Sequence, residues 1–132
     1  MREVECYRLH LETDIAIAVM GSYTYARTCG LAPQQMSEVA TTVSELATNV
    51  IKYASDGEVW IEHLLLGARE GVRVTVIDRG PGIADLDNAL RDHFSTGQSL
   101  GLGLPGVQRL MDEFTIDTSS GGTRVAAIKW RA

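Results

Sequence analysis

Residues 33–54, PQQMSEVATTVSELATNVIKYA, carry the clearest structural signal in the chain. Apolar side chains recur there at spacings of three and four, the period of one helix face. They are Met36, Val39, Ala40, Val43, Leu46, Ala47, Val50, Ile51 and Ala54. Pro33 suits the first turn, because an N–H at that position would have no partner within the helix. The stretch therefore predicts a long amphipathic helix.

The sequence on either side predicts further strands and helices. Residues 4–11 alternate like a half-buried strand, and Thr13 or Asp14 can cap a helix that ends near Cys29, with Gly30 as its left-handed terminus. Beyond the long helix, the pattern predicts strands at 58–66 and 72–78, a short helix at 87–93, a helix at 104–111, and strands at 114–118 and 123–130. The prediction is an α/β (α+β) fold, with helices on one face of a mixed sheet.

Length and composition restrict the classes of protein. The 132 residues predict a single domain over 1–132, and 45% hydrophobic residues indicate an ordered chain. A net charge of −5 argues against nucleic acid as a partner. There is no apolar run of about 18 residues and no signal-peptide pattern at the N-terminus, so we expect no membrane association and a cytoplasmic location.

The cysteines and histidines predict no special chemistry. Cys6 and Cys29 are too few for a disulfide framework and are expected to be buried or half-buried thiols. His10, His63 and His93 are isolated from one another in the sequence. None of them is a candidate metal ligand or phosphate acceptor.

Glu45 and Asn49 form the first candidate site. They lie four residues apart and so share one side of the long helix, which we expect to differ from its apolar stripe. A carboxylate can take a proton from an attacking hydroxyl, and an amide oxygen can bind Mg²⁺. The alternative is an ordinary exposed polar pair on the helix surface.

Asp78, Gly80 and Gly82 form the second candidate, at the end of a predicted buried strand. A carboxylate there can accept a hydrogen bond from the amino group of an adenine. The glycines let the backbone turn sharply and approach a flat ring. The alternative is a tight turn with a solvated aspartate.

The third candidate is the glycine-rich segment 97–106, which runs into a predicted helix. Backbone N–H groups and the positive end of a helix dipole together bind phosphates without a basic side chain. A flexible connector is the alternative. The G-x-x-x-x-G-K-[ST] loop is absent from the sequence, and the segment does not follow the first strand of a βαβ unit.

Four motifs in order give the chain a family resemblance. They are E-L-A-T-N (45–49), D-R-G-P-G-I (78–83), G-L-G-L (101–104) and G-G-T (121–123). They resemble the N, G1, G2 and G3 boxes of the GHKL superfamily of ATPases and kinases. The compact length resembles its anti-sigma-factor serine kinase branch, and residues 94–114 resemble most closely the switch kinases of the stressosome.

The resemblance implies a Bergerat fold, a two-layer sandwich with a mostly antiparallel sheet, that binds ATP and Mg²⁺ under a lid at about 84–100. It makes Glu45 the general base and Asn49 the Mg²⁺ ligand. The residues that it implies for cofactor binding are Asn49, Asp78, Gly80, Gly82, Gly101, Leu102, Gly103, Leu104 and Thr123. Gln98 stands where related kinases often have an arginine. Arg91 is a candidate for a replacement cation in the lid, but a solvated loop arginine is the favoured alternative for it.

The resemblance also implies a protein serine/threonine kinase that phosphorylates STAS-domain proteins and then activates a PP2C-type phosphatase. One alternative is a binding module, of the anti-sigma-factor kind, with little transfer activity. Another is a detached histidine kinase domain, but no histidine lies on a predicted dimerising helix. We expect an exposed apolar patch on the first helix, where Ile15, Ile17, Val19, Met20, Tyr23 and Tyr25 are apolar on more than one side.

Overall fold

The computed structural model describes residues 1–82 and 103–132. Five strands and three helices follow one another along these residues. In chain order they are β1 (Glu5–Leu9), α1 (Thr13–Thr28), α2 (Pro33–Tyr53), β2 (Gly57–Leu66), β3 (Arg69–Asp78), α3 (Gly103–Leu110), β4 (Glu113–Ser119) and β5 (Gly122–Trp130). The strands form one sheet in the order β1-β2-β3-β5-β4, and each neighbouring pair is antiparallel.

The hydrophobic core lies between this sheet and the helices. Alternate residues of the central strands, such as Val59, Ile61, Val74 and Ala127, are fully buried, as the two-residue period of a strand requires. They belong to the same cluster as the apolar stripe of α2. The predicted α/β sandwich is confirmed. The sheet, predicted as mixed, is antiparallel at every pair in the described part of the chain.

The two ends of helix α1 are stabilised in different ways. The Asp14 carboxylate accepts hydrogen bonds from the N–H groups of His10 (2.9 Å) and Leu11 (2.8 Å), which precede the helix. The prediction that Asp14 or Thr13 caps the N–H groups of the following turn was wrong, because Asp14 reaches backwards. At the other end Gly30 has a φ of +85°, as predicted for a left-handed terminus.

Helix α2 begins at Pro33, as predicted, and stops abruptly at its other end. The N–H groups of Ala54 and Ser55 both donate to the Val50 carbonyl at 2.8 Å. Ser55 has a φ of +68°, the one non-glycine residue with a positive φ among those described. The turn that follows connects α2 to β2.

The β2–β3 hairpin is longer than predicted. Leu66 pairs with Arg69, so the turn consists of only Gly67 and Ala68, whereas the sequence predicted a polar connection up to Gly71. Gly67 supplies a φ of +62°, and the polar residues after the turn join the ladder. The predicted helix at 87–93 and lid at 84–100 lie outside the described residues.

Two further features bear on the predictions. Cys29 is buried, but Cys6 is exposed, so the prediction of a buried or half-buried Cys6 was wrong. Cys6 points away from the helices, on the open face of the edge strand β1. Within 1–82 and 103–132, no helix is long and apolar enough to cross a membrane.

Candidate nucleotide-binding site

Asp78 ends β3, in the middle of the sheet. Its Oδ1 accepts hydrogen bonds from the N–H groups of Gly80 (2.9 Å) and Thr123 (3.2 Å), which fix the orientation of the half-buried carboxylate. Among the described residues no donor reaches Oδ2. One oxygen is therefore anchored and the other is available to a ligand.

The glycines after Asp78 allow close packing of backbone segments. A Cβ on Gly80 would lie 2.6 Å from the Cβ of Ala54, at the end of α2. Gly82 has a φ of +81°, and a Cβ there would collide with the Ser119 carbonyl oxygen at the end of β4. The 80–82 segment is thereby held between α2 and the β4–β5 hairpin.

Thr123 lies directly beside Asp78 on β5, as its cross-strand partner. It is nearly buried, and its hydroxyl is 2.9 Å from that of Thr118. Gly122, with a φ of +143°, brings this hairpin so close that a Cβ would collide with the Asp78 carbonyl oxygen. The G1 and G3 motifs therefore meet at one end of the sheet.

Glu45 and Asn49 lie on α2, whose last turn contacts this same end. Since a helix rises about 1.5 Å per residue, Asn49 is about 7 Å and Glu45 about 13 Å along the axis from Ala54. Asn49 is half-buried, but Glu45 is only 2% exposed. The alternative of an exposed polar pair is therefore excluded for Glu45, which is buried although the helical period sets it apart from the apolar stripe, as predicted.

The proposed phosphate-binding segment is described in part. Gly101 and Leu102 lie outside the described residues. Gly103 opens α3 with a φ of +57°, a left-handed conformation that favours glycine, and Leu104 is buried. Helix α3 packs against α2, so its N-terminus lies on the same side of the sheet as Glu45 and Asn49.

The described residues fit the adenine end of ATP. An anchored carboxylate with one available oxygen suits the exocyclic amino group of adenine, and Gly80 and Gly82 leave the backbone beside it without side chains. No group of three or more His, Cys, Asp or Glu residues in 1–82 and 103–132 forms a metal site.

Sequence reasoning missed three residues that shape this site. Ala54, Thr118 and Ser119 contact its glycines or Thr123, yet none of them lies in a motif. Only the small size of Ala54, immediately before the S-D-G turn, gave a signal. The other two act through the pairing of β4 with β5, which a motif does not encode.

Comparisons with known proteins identify the family of the chain. The Histidine kinase-like ATPase domain family matches residues 11–129. Serine/threonine-protein kinase RsbT of Bacillus subtilis is 39% identical over 131 residues, which cover 98% of each chain. The Anti-sigma F factor of Caldanaerobacter subterraneus subsp. tengcongensis is 31% identical over 104 residues, covering 74% of this chain and 71% of that protein.

Solved structures share the fold at lower identity. The RsbU and RsbW domains of a Mycobacterium tuberculosis protein superpose with a TM-score of 0.68 at 19% identity, over 99% of this chain and 34% of that one. The catalytic domain of histidine kinase ThkA superposes with a TM-score of 0.57 at 16% identity, over 96% of this chain and 98% of that one. The chain belongs to the histidine kinase-like ATPase domain family, among its ATP-using serine/threonine-protein kinases.

Proposed function

We propose that this kinase transfers the γ-phosphoryl group of ATP to a serine or threonine hydroxyl of a STAS-domain protein in a stress-signalling cascade. The observation that carries the proposal is the meeting of α2 with the Asp78 segment. The helix that bears Glu45 and Asn49 ends against Gly80, beside the anchored Asp78 carboxylate. This contact supports the proposal, because the proposed base and the proposed nucleotide anchor lie on adjoining segments of the fold.

In this proposal residues of the chain bind and orient the nucleotide, and one of them moves a proton. Asp78 accepts the adenine amino group, Gly80 and Gly82 line the ring, and Thr123 contributes its hydroxyl on the same side. Gly101, Leu102, Gly103 and Leu104 would bind the phosphates through backbone N–H groups. ATP supplies the phosphoryl group, and Asn49 would hold its Mg²⁺. Glu45 takes the proton from the incoming hydroxyl, in a position almost closed to water.

The 2% exposure of Glu45 supports its assignment as the base. A carboxylate costs free energy to bury, so a sequence retains one in a core where it has a partner or a function. Positioning and electrostatic stabilisation supply most of the rate in phosphoryl transfer, and a buried base fixed on a helix is well positioned.

The partners follow from the proteins that this chain resembles. RsbT and an anti-sigma factor both act in regulatory pathways, which supports a protein as the substrate. We propose further that the chain acts as one domain in the cytoplasm and, after release from its substrate, activates a PP2C-type phosphatase. Helix α1 offers the surface for this, because Ile17 is 59% and Met20 71% exposed, whereas Tyr25 is buried.

A binding module with little transfer activity is the second candidate. The similarity to Anti-sigma F factor over 74% of the chain favours it. In that case ATP would stabilise the fold, and the α1 surface would clamp a sigma factor or another regulator. The two candidates differ in whether phosphate reaches a partner.

The test is transfer of labelled γ-phosphate from Mg-ATP to purified STAS-domain proteins. Glu45→Gln, which keeps the buried volume, is expected to bind ATP normally and to lose at least about 100-fold in transfer. Glu62→Gln, the same change on the open face of the sheet, is the matched control and should transfer normally. Equal transfer by both variants would remove Glu45 from the mechanism. ATP binding without transfer by the unaltered protein would favour the binding module.

A further inference from the structure

We propose that Lys129 is a positioning residue that holds α3 at the angle from which its N-terminus meets the phosphates; this rests on the nucleotide site proposed above. Lys129 lies on the buried face of β5 and is only 5% exposed. It is six residues from Thr123, about 20 Å along the strand. It is therefore too far away to touch an adenine bound beside Asp78.

The ammonium group of Lys129 joins three elements. Its Nζ lies 3.1 Å from Glu38 Oε1 on α2 and 3.7 Å from Asp112 Oδ1 just after α3, and it donates to the carbonyl oxygen of Leu110. The ammonium group thus makes one hydrogen bond, to the Leu110 carbonyl, and ion pairs with two carboxylates. One buried cation thus links β5, α2 and the C-terminal end of α3.

The Leu110 carbonyl is the last of α3. The C-terminal end of a helix carries partial negative charge and unsatisfied carbonyls, and a cation there is stabilising. Asp112 strengthens the attachment, because its N–H donates to Ile128 (2.9 Å) and its Oδ2 accepts from the Trp130 N–H (2.7 Å). The C-terminal end of α3 is consequently fixed to β5 by both backbone and side chains.

Fixing one end of α3 sets the direction of the other. The helix has eight residues, about 12 Å, and its first residue is the left-handed Gly103 of the proposed phosphate-binding segment. A tilt of the helix at Leu110 would displace the N–H group of Gly103 in proportion to this length. Removing the cation would also leave Glu38 and Asp112 as like charges around a buried carbonyl. Lys129 therefore acts on phosphate binding through α3, with no effect expected on adenine binding.

The experiment compares Lys129→Met with Ile61→Ala, a core variant on β2, which pairs with β1 and β3 rather than with β5. We expect Lys129→Met to bind Mg-ATP about tenfold more weakly, with adenosine affinity changed less than about twofold. Ile61→Ala should leave the ratio of the two affinities unchanged. Hydrogen exchange without nucleotide should be about tenfold faster at 103–110 in Lys129→Met and unchanged at 33–53.

An unchanged ratio of the ATP and adenosine affinities in Lys129→Met, including an equal loss of both, would overturn the proposal. So would unchanged hydrogen exchange at 103–110. Should Lys129→Met fail to fold, Glu38→Gln removes one partner only and should shift the same ratio in the same direction. If the unaltered protein binds no ATP, the nucleotide site itself fails; if it binds ATP and the variants keep its ratio, only the role of Lys129 fails.

Discussion

Asp78 illustrates how one side chain can serve both the fold and a ligand. Its Oδ1 holds Gly80 and Thr123, while Oδ2 remains available. Asp78→Asn should keep Oδ1 as an acceptor but place an N–H₂ group opposite the adenine amino group. A hydrogen bond to a charged group contributes about 1.5 to 3 kcal/mol, so calorimetry should show ATP affinity reduced by about 10- to 100-fold. Unchanged affinity in a folded Asp78→Asn protein would contradict the adenine assignment.

Glu45 shows where prediction from sequence stopped. The periodicity of 33–54 predicted α2 and its apolar stripe correctly, yet it gave no sign that Glu45, on another side of the helix, is also buried. Helical periodicity describes one helix alone, whereas burial depends on what packs against it, and α3 is a neighbour of α2 more than fifty residues later in the chain. The E-L-A-T-N motif singled out Glu45 as a candidate, but only the tertiary structure shows that its side chain is buried.

The end of α2 carries a backbone strain that a substitution can test. Ser55 is exposed with a φ of +68°, a region that costs an L-residue about 1 to 2 kcal/mol relative to glycine. Replacing Ser55 with glycine would remove this cost, but glycine is also more flexible in the unfolded chain, which offsets part of the stabilisation. Ser55→Gly should raise the free energy of unfolding in urea by about 0.5 kcal/mol. Ser37→Gly, within α2, should lower it and serves as the control.

The start of α1 should give the stability a dependence on acid pH. Hydrogen bonds from the Leu11 and His10 N–H groups hold the pKa of Asp14 below its ordinary value. The stabilisation is therefore complete above the unfolded-state pKa of about 3.9 and is lost as pH falls through the lower folded-state pKa. The free energies of unfolding in urea of the unaltered protein and of Asp14→Ala should differ by a constant amount above about pH 5. This difference should shrink in stronger acid. A difference that persists in strong acid would contradict this.

The strands were predicted well where turn chemistry marks their ends and poorly where it does not. The S-D-G turn placed β2 within one residue. Polar residues at 69–71 were mistaken for a loop, because register is decided by pairing with the opposite strand rather than by composition. The direction of each described strand pair likewise depends on which strands become neighbours, and the sequence pattern does not encode that.

The whole molecule should respond to its nucleotide as one cooperative unit. The site joins the end of α2, the end of β3 and the β4–β5 hairpin, so ATP should bind the folded state alone. Saturation at about 100 times the dissociation constant would stabilise it by about 2.7 kcal/mol. Thermal unfolding with Mg-ATP should show a rise in midpoint that Asn49→Ala loses. An equal rise in Asn49→Ala would contradict the metal assignment.

The two-residue turn of Gly67 and Ala68 lies at the far end of β3 from Asp78, about 30 Å away. A Cβ at Gly67 would meet nothing within 4 Å, and Leu66 beside it is 62% exposed. Exposed loop tips tolerate insertions far better than packed segments do. A fluorescent reporter or an affinity handle inserted between Gly67 and Ala68 should leave ATP binding intact, which would allow the kinase to be followed or captured with its partners in living cells.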